Sequence, residues 1–252
     1  MPSERFDFLG ADGQKLAGRL DSPTDEPRAY ALFAHCFTCG KDVFAASRIA
    51  QALTDHSIAV LRFDFTGVGA SEGEFANTNF SSNCNDLVSA AGRLEDVGRA
   101  PSILIGHSLG GAAVLASAGY IGVVRAVVTI AAPSDPSHVI GLFKSDVPRI
   151  EAEGEADVQI AGRSFRIGKQ FLQDAAEHNL SKKVAGLKRP LLVMHSPQDT
   201  TVEIRNAATI FSAAKHPKSF VSLDGSDHLL SKRRDAVYAA SIISSWSARY
   251  IE

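Results

Sequence analysis

The sequence predicts a single α/β domain over residues 1–252, with a mostly parallel central sheet, helices on both faces and a small cap inserted at about 133–189. Three observations predict it. Short, continuous apolar runs alternate with helix candidates along most of the chain, as strands buried on both faces do when helices cover them. A G-x-S-x-G run, Gly106-His107-Ser108-Leu109-Gly110, falls between one such strand and a helix of small residues. The alternation breaks once, between Pro133 and about Arg189, over a stretch too long for a simple connection.

Taken in order, Arg5-Phe6-Asp7-Phe8 alternates, Asp12-Gly13 marks a turn, and 16–20 reads as a return strand, so the N-terminus is expected to add antiparallel edge strands. Tyr30-Ala31-Leu32-Phe33-Ala34 is a buried strand. A helix over 43–53, a strand over 58–63 and a helix over 84–97 follow. Next come a buried strand over 102–105, a helix over 111–118 and a buried strand over 124–130. The interruption holds the apolar patch Val139-Ile140-Gly141-Leu142-Phe143, a hairpin of 158–160 with 165–167 around Gly162, and a helix over 169–178. The pattern resumes with a strand over 191–194, a helix over 204–214, a strand over 219–223 and a helix over 236–250.

Composition narrows the function classes. The formal charge of −2 gives no global reason to expect nucleic acid or an anionic membrane as partner. No apolar run is long enough to span a bilayer, and the first ten residues lack the apolar stretch of a signal peptide. Three cysteines, an odd number in a chain this long, speak against a secreted disulfide framework and for a cytoplasmic location.

The G-x-S-x-G run carries the chemistry. A serine on a very sharp strand-to-helix turn projects its hydroxyl above the sheet. Backbone then passes so close to the flanking positions that only glycine fits them. Ser108 also precedes a helix, whose free N–H groups favour developing negative charge. A serine hydroxyl is a weak nucleophile and needs a base. Of eight histidines, His228 lies in a polar loop after the last predicted strand, where a parallel sheet presents a side chain at its carboxyl edge. Asp199 lies in the loop after the preceding strand and can orient the imidazole. Glu203, Asp224 and Asp227 read as solvated loop charges. The N–H groups of Leu109 and Phe37 are the expected oxyanion donors, with Cys36 the alternative to Phe37.

The order Ser108, Asp199, His228 is that of α/β-hydrolases. Asp64-Phe65-Thr66-Gly67-Val68-Gly69-Ala70-Ser71-Glu72-Gly73 and His195-Ser196-Pro197-Gln198-Asp199 also resemble that family. More narrowly, the run from Phe33 to Asp42 and the run from Phe75 to Asn83 resemble the hydrolase half of bacterial proteins that fuse an α/β-hydrolase to a C-terminal OsmC-type domain. The resemblance implies an α/β-hydrolase fold, carboxylesterase activity on small acyl esters, and a functional association with an OsmC-type domain that lies outside this chain. The sequence departs from the family at Cys36, where most members have glycine. The 64–73 run is read as structural, a tight loop beside the site.

The expected reaction is acyl transfer from a short or compact ester to water, with no metal or organic cofactor. Val139, Ile140, Leu142, Phe143 and Phe171 of the cap are expected to line the substrate pocket. Two other classes compete with this reading. One is a non-catalytic ligand-binding protein on the same fold, which loss of any of the three residues would have favoured. The other is a redox-responsive protein using Cys36 and Cys39, although the pair reads first as two small buried residues near the pocket. Cys84 reads as a small residue at a helix start.

Overall fold

The computed structural model describes residues 2–251. Twelve strands and eight α-helices are formed among them. The chain opens with β1 (Ser3–Arg5), a small hairpin of β2 (Phe8–Leu9) with β3 (Lys15–Leu16), and β4 (Gly18–Asp21). Then come β5 (Ala29–Ala34), α1 (Phe44–Thr54), β6 (Ile58–Phe63), α2 (Phe80–Asp96), β7 (Pro101–His107), α3 (Leu109–Ser117) and β8 (Ala126–Ile130). After the interruption the chain resumes with β11 (Leu191–His195), α7 (Arg205–Ala213), β12 (Lys218–Ser222) and α8 (Arg233–Ile251). The eight-stranded sheet has the order β1-β4-β6-β5-β7-β8-β11-β12. Six strands are parallel, and β4 and β1 add an antiparallel edge. The expected N-terminal edge forms, but the β2–β3 hairpin is a separate ribbon.

Side chains on a strand alternate between faces, and here both faces are apolar. In β5, Ala31 and Phe33 enter one core with Ile49 of α1 and Ile243 of α8. Leu32 and Ala34 enter the other with Leu87 of α2, Ala112 of α3 and Ile210 of α7. Strand β7 divides in the same way, Ile103 and Ile105 against Leu104. Helix α3 is buried on every side, and its glycines and alanines let it press onto the sheet.

Helix α2 begins four residues before the sequence predicts. Asn79 Oδ1 accepts from the Ser82 N–H at 2.7 Å, and the Asn79 N–H donates to Ser82 Oγ at 3.0 Å. This reciprocal cap starts the helix inside a polar run that carries no apolar period. Cys84 is therefore one turn inside α2 instead of at its start, and burial pushes its thiol up to about 11.

Between β8 and β11 the chain leaves the sheet. It forms a 3₁₀ run (Pro136–Asp146), α4 (Val147–Glu153), a hairpin of β9 (Glu155–Ile160) with β10 (Arg163–Gly168), α5 (Lys169–Glu177) and α6 (Leu180–Ala185). The hairpin and α5 lie where the sequence places them. Helices α4 and α6 are too short to carry a readable period. No helix among the described residues is long and apolar enough to cross a membrane.

Candidate active site

The turn from β7 into α3 is as sharp as the glycine spacing requires. Ser108 has φ 56° and ψ −127°, a conformation that favours glycine. Its N–H donates to the Ile130 carbonyl at 2.9 Å, which ties the turn to the end of β8. A Cβ on Gly106 would lie 2.3 Å from the Gly110 carbonyl oxygen. One on Gly110 would lie 2.3 Å from that of Ala34 and 2.4 Å from that of His35. The strain at position 108 serves to present the hydroxyl. Ser108→Gly is therefore expected to be about 1 kcal/mol more stable than Ser108→Ala in urea unfolding. Equal midpoints would show that the turn is relaxed.

Strands β7, β11 and β12 end on the same edge of the sheet, and their following loops bring three side chains together. His228 Nε2 lies 3.0 Å from Ser108 Oγ, and His228 Nδ1 lies 2.7 Å from Asp199 Oδ2. A carboxylate only accepts, so Nδ1 carries the proton and Nε2 is free to accept one from the serine. Asp199, 5% exposed, accepts at Oδ1 from the N–H groups of Thr201 and Val202, both at 2.9 Å. Burial pushes its carboxyl up, but the bonds from His228, Val202 and Thr201 outweigh this and hold it below the usual carboxylate range. The competing carboxylates are engaged elsewhere: Glu203 with Arg205 at 3.0 Å, Asp224 with the Ser222 hydroxyl, and Asp227 with Ser231.

His107, next to the serine, is fully buried beneath this arrangement. Its Nε2 donates to the His228 carbonyl at 2.7 Å and so props the loop that carries His228. Burial, aided by the nearby His228, pushes its imidazole down to about 3. A histidine whose folded value lies below its unfolded one of about 6.5 contributes stability that is complete above that pH. That stability is lost as pH falls towards 3. His35 and His195 are lowered in the same direction, chiefly by burial. The melting temperature should therefore drop from pH 7 to pH 5, and His107→Gln, which keeps an N–H donor, should show a shallower drop. Identical slopes would rule out His107 as a source of the acid sensitivity.

The loop after β5 carries the remaining pieces. Here the structure corrects the sequence reading, because Cys36 and Cys39 are joined in a disulfide. The Cys39 N–H donates to the Cys36 carbonyl at 3.2 Å, and this turn, with Thr38 at φ 59°, brings the two Cα atoms to 5.4 Å. Phe37 sits inside the ring so formed. Neither its N–H nor that of Leu109 is taken by another group among the described residues. Both line a small cavity of about 10 Å³ with Cys36, Phe65 and Gly110, room for one water. The loop is anchored at both ends. Asp64 accepts from the Lys41 N–H at 2.6 Å and from Lys41 Nζ at 2.7 Å, and also from the Ala70 N–H at 3.0 Å. Arg163 of β10 donates to the Thr38 carbonyl. Through Asp64 the 64–73 run braces the loop after β5.

Of the five cap residues expected at the pocket, Phe171 packs at a tilt against Phe37, 5.1 Å between ring centroids. Val139 and Phe143 are buried in the larger core, Ile140 packs on its edge, and Leu142 is 47% exposed. The sequence reading missed Phe75, whose ring packs at a tilt against Phe37 at 5.6 Å, and Phe165, whose ring packs at a tilt against Phe75 at 5.1 Å. The alternation of the predicted hairpin could have placed Phe165 on the inner face, but nothing local marks Phe75.

An α/β sheet with a serine elbow, a histidine loop and an acidic loop at one edge is the architecture of a hydrolase fold. The chain belongs to the alpha/beta hydrolase family, whose model it matches over residues 31–240. It is similar along its whole length to the esterase domain of a Rhodothermus marinus protein, with 49% identity, a TM-score of 0.82 and 100% of both chains covered. It is 27% identical over 190 residues to the mitochondrial palmitoyl-protein thioesterase ABHD10 of Rattus norvegicus, covering 70% of this chain and 61% of that protein. A 138-residue stretch is 33% identical to the monoglyceride lipase of Rattus norvegicus, covering 54% of this chain and 40% of that one.

Proposed function

We propose that the protein is a serine carboxylesterase acting on short or compact acyl esters. The observation that carries the reading is the hydrogen-bonded chain from Ser108 through His228 to Asp199. In this scheme Ser108 Oγ attacks the ester carbonyl carbon while His228 Nε2 takes its proton. The N–H groups of Leu109 and Phe37 hold the oxyanion. His228 returns the proton to the departing alcohol, and Asp199 stabilises the imidazolium meanwhile. Water then adds to the acyl-enzyme by the same route. No metal or organic cofactor takes part. The packed rings of Phe37, Phe75, Phe165 and Phe171 form an apolar wall next to the oxyanion loop.

The likeness to a named esterase domain supports ester chemistry. The likeness to a named thioesterase makes thioesters the second substrate class for the same residues. The test is hydrolysis of p-nitrophenyl acetate and butyrate together with labelling by a fluorophosphonate, its site read by peptide mass spectrometry. Turnover with the label on Ser108 is the expected result. No turnover and no label would overturn the proposal and favour a non-catalytic ligand-binding role.

A further inference from the structure

The Cys36–Cys39 disulfide has no part in the proposed ester cleavage, yet it closes the ring that holds Phe37. A bond that spans three positions removes little freedom from the unfolded chain, so it adds less to global stability than the same bond across a long loop. Its effect is local. Thr38, inside the ring, is β-branched and stands at φ 59°, in the left-handed region. Such backbone persists only where the surroundings impose it. The disulfide imposes it together with two hydrogen bonds, from the Cys39 N–H to the Cys36 carbonyl and from Arg163 to the Thr38 carbonyl. Phe37 is the residue before Thr38, so what fixes Thr38 also aims the Phe37 N–H.

The disulfide can be reached from one side. Cys36 is 6% exposed, whereas Cys39 is half-buried and lines a second cavity, of about 270 Å³. Val43, Phe44, Ala45 and Leu229 make most of that lining apolar. Phe44 and Leu229 are 65% and 52% exposed, so the cavity opens to solvent between them. The carboxylate of the lining, Asp42, is paired with Arg62 at 3.1 Å. At about 30 Å³ for a water-sized group, there is room for roughly nine such groups, enough for a small uncharged dithiol.

We propose that Cys39 is a thiol–disulfide exchange site, reached through this cavity by a small uncharged dithiol, and that its reduction disables the oxyanion donor at Phe37. One thiolate of the dithiol attacks Cys39 Sγ. The bond to Cys36 breaks, and its electron pair leaves on Cys36 Sγ, which takes a proton from water. The second thiolate attacks the dithiol's own sulfur in the mixed disulfide and releases Cys39 Sγ, which is protonated in turn. The protein gains two electrons and two protons. The dithiol loses the same and becomes a cyclic disulfide. Thr38, no longer bound into the ring, relaxes out of the left-handed region and turns the Phe37 N–H away. The effect on turnover rests on the esterase reading; the exchange itself does not.

The test equilibrates the protein with mixtures of reduced and oxidised dithiothreitol. One sample is alkylated with iodoacetamide and mapped by peptide mass spectrometry. A second is desalted under nitrogen and assayed with p-nitrophenyl acetate. Cys36 and Cys39 should become alkylated while circular dichroism stays that of the folded protein. In step with this, kcat should fall by about tenfold to a hundredfold, with KM within about threefold, because the Leu109 donor remains. Oxidised dithiothreitol should restore it. Cys36→Ser/Cys39→Ser should begin at the lowered kcat and ignore the reagent, and Cys84→Ser should respond as the wild type does. Phe44→Glu, which sets a carboxylate in the path of the incoming thiolate, should slow reduction by about threefold or more. The proposal is overturned if Cys36 and Cys39 resist alkylation until the protein unfolds, if the reduced protein keeps its kcat, or if Cys84→Ser abolishes the response. An unchanged rate in Phe44→Glu overturns the route through the cavity. Absence of both turnover and label on Ser108 sinks the esterase reading and the switch with it, while the alkylation map decides the exchange site alone.

Discussion

Ser108→Ala is expected to lower kcat/KM for p-nitrophenyl acetate by roughly 10⁴- to 10⁶-fold while leaving the melting temperature within about a degree. The size follows from what is removed. In the proposed mechanism the hydroxyl oxygen bonds to the acyl carbon, and alanine leaves the turn, the N–H groups and the cavities in place. His228→Ala should cost about as much, because a serine without its base attacks no faster than solvent. The double variant Ser108→Ala/His228→Ala should be no slower than either single one, since the two groups act in one step and their effects do not add. Stopped assays at high enzyme concentration measure all three. Multiplicative losses in the double variant would show that the two residues act independently.

Asp199→Asn is expected to lower kcat by about 10⁴-fold at neutral pH with little change in KM. The loop around position 199 should persist, because an asparagine oxygen can still accept from Thr201 and Val202 as Oδ1 does. The other oxygen becomes an NH₂ group facing His228 Nδ1. The imidazole must then accept at Nδ1 and carry its proton on Nε2, the nitrogen that faces Ser108. It can no longer take the serine proton. A carboxyl held below its unfolded value of about 4 contributes stability that is present above that pH and lost as pH falls through the depressed value. Asp199→Asn should lack this component, so its melting temperature should approach that of the wild type in strong acid. A loss in kcat of tenfold or less would assign Asp199 a packing role.

Much of this was legible in the sequence because the informative residues obey short-range rules. Gly106 and Gly110 bracket Ser108 for a steric reason that two residues on either side suffice to state. Strands β5 to β8 announce themselves as apolar runs because both faces are covered. The strands that precede Ser108, Asp199 and His228 put the three on loops of one sheet edge, after β7, β11 and β12. What stayed hidden depends on contacts between distant segments. Phe75 and Phe165 meet Phe37 only after the inserted hairpin folds over the β5 loop. Phe44 reads as the second residue of a helix over 43–53, and only the fold brings it with Leu229 to the lining of one cavity. Val139 and Phe143 lie in the larger core while Phe171 meets Phe37, and an apolar patch in the sequence looks the same whether it packs or binds. Cys36 and Cys39 have a spacing that fits several chemistries, and the turn at Thr38 is what brings them together.

The pairing of Ser108 with His228 spans 120 residues of chain, and that of His228 with Asp199 spans 29. Neither contact can exist until β7, β8, β11 and β12 lie side by side through their crossovers, the slowest kind of contact for a chain to find. Under the proposed mechanism, ester turnover would report the end of folding. During refolding from urea, helical circular dichroism should return well before hydrolysis does, and a ribosome-bound chain halted short of residue 228 should fold locally yet remain silent. The protein comes alive only when its last strand is in place.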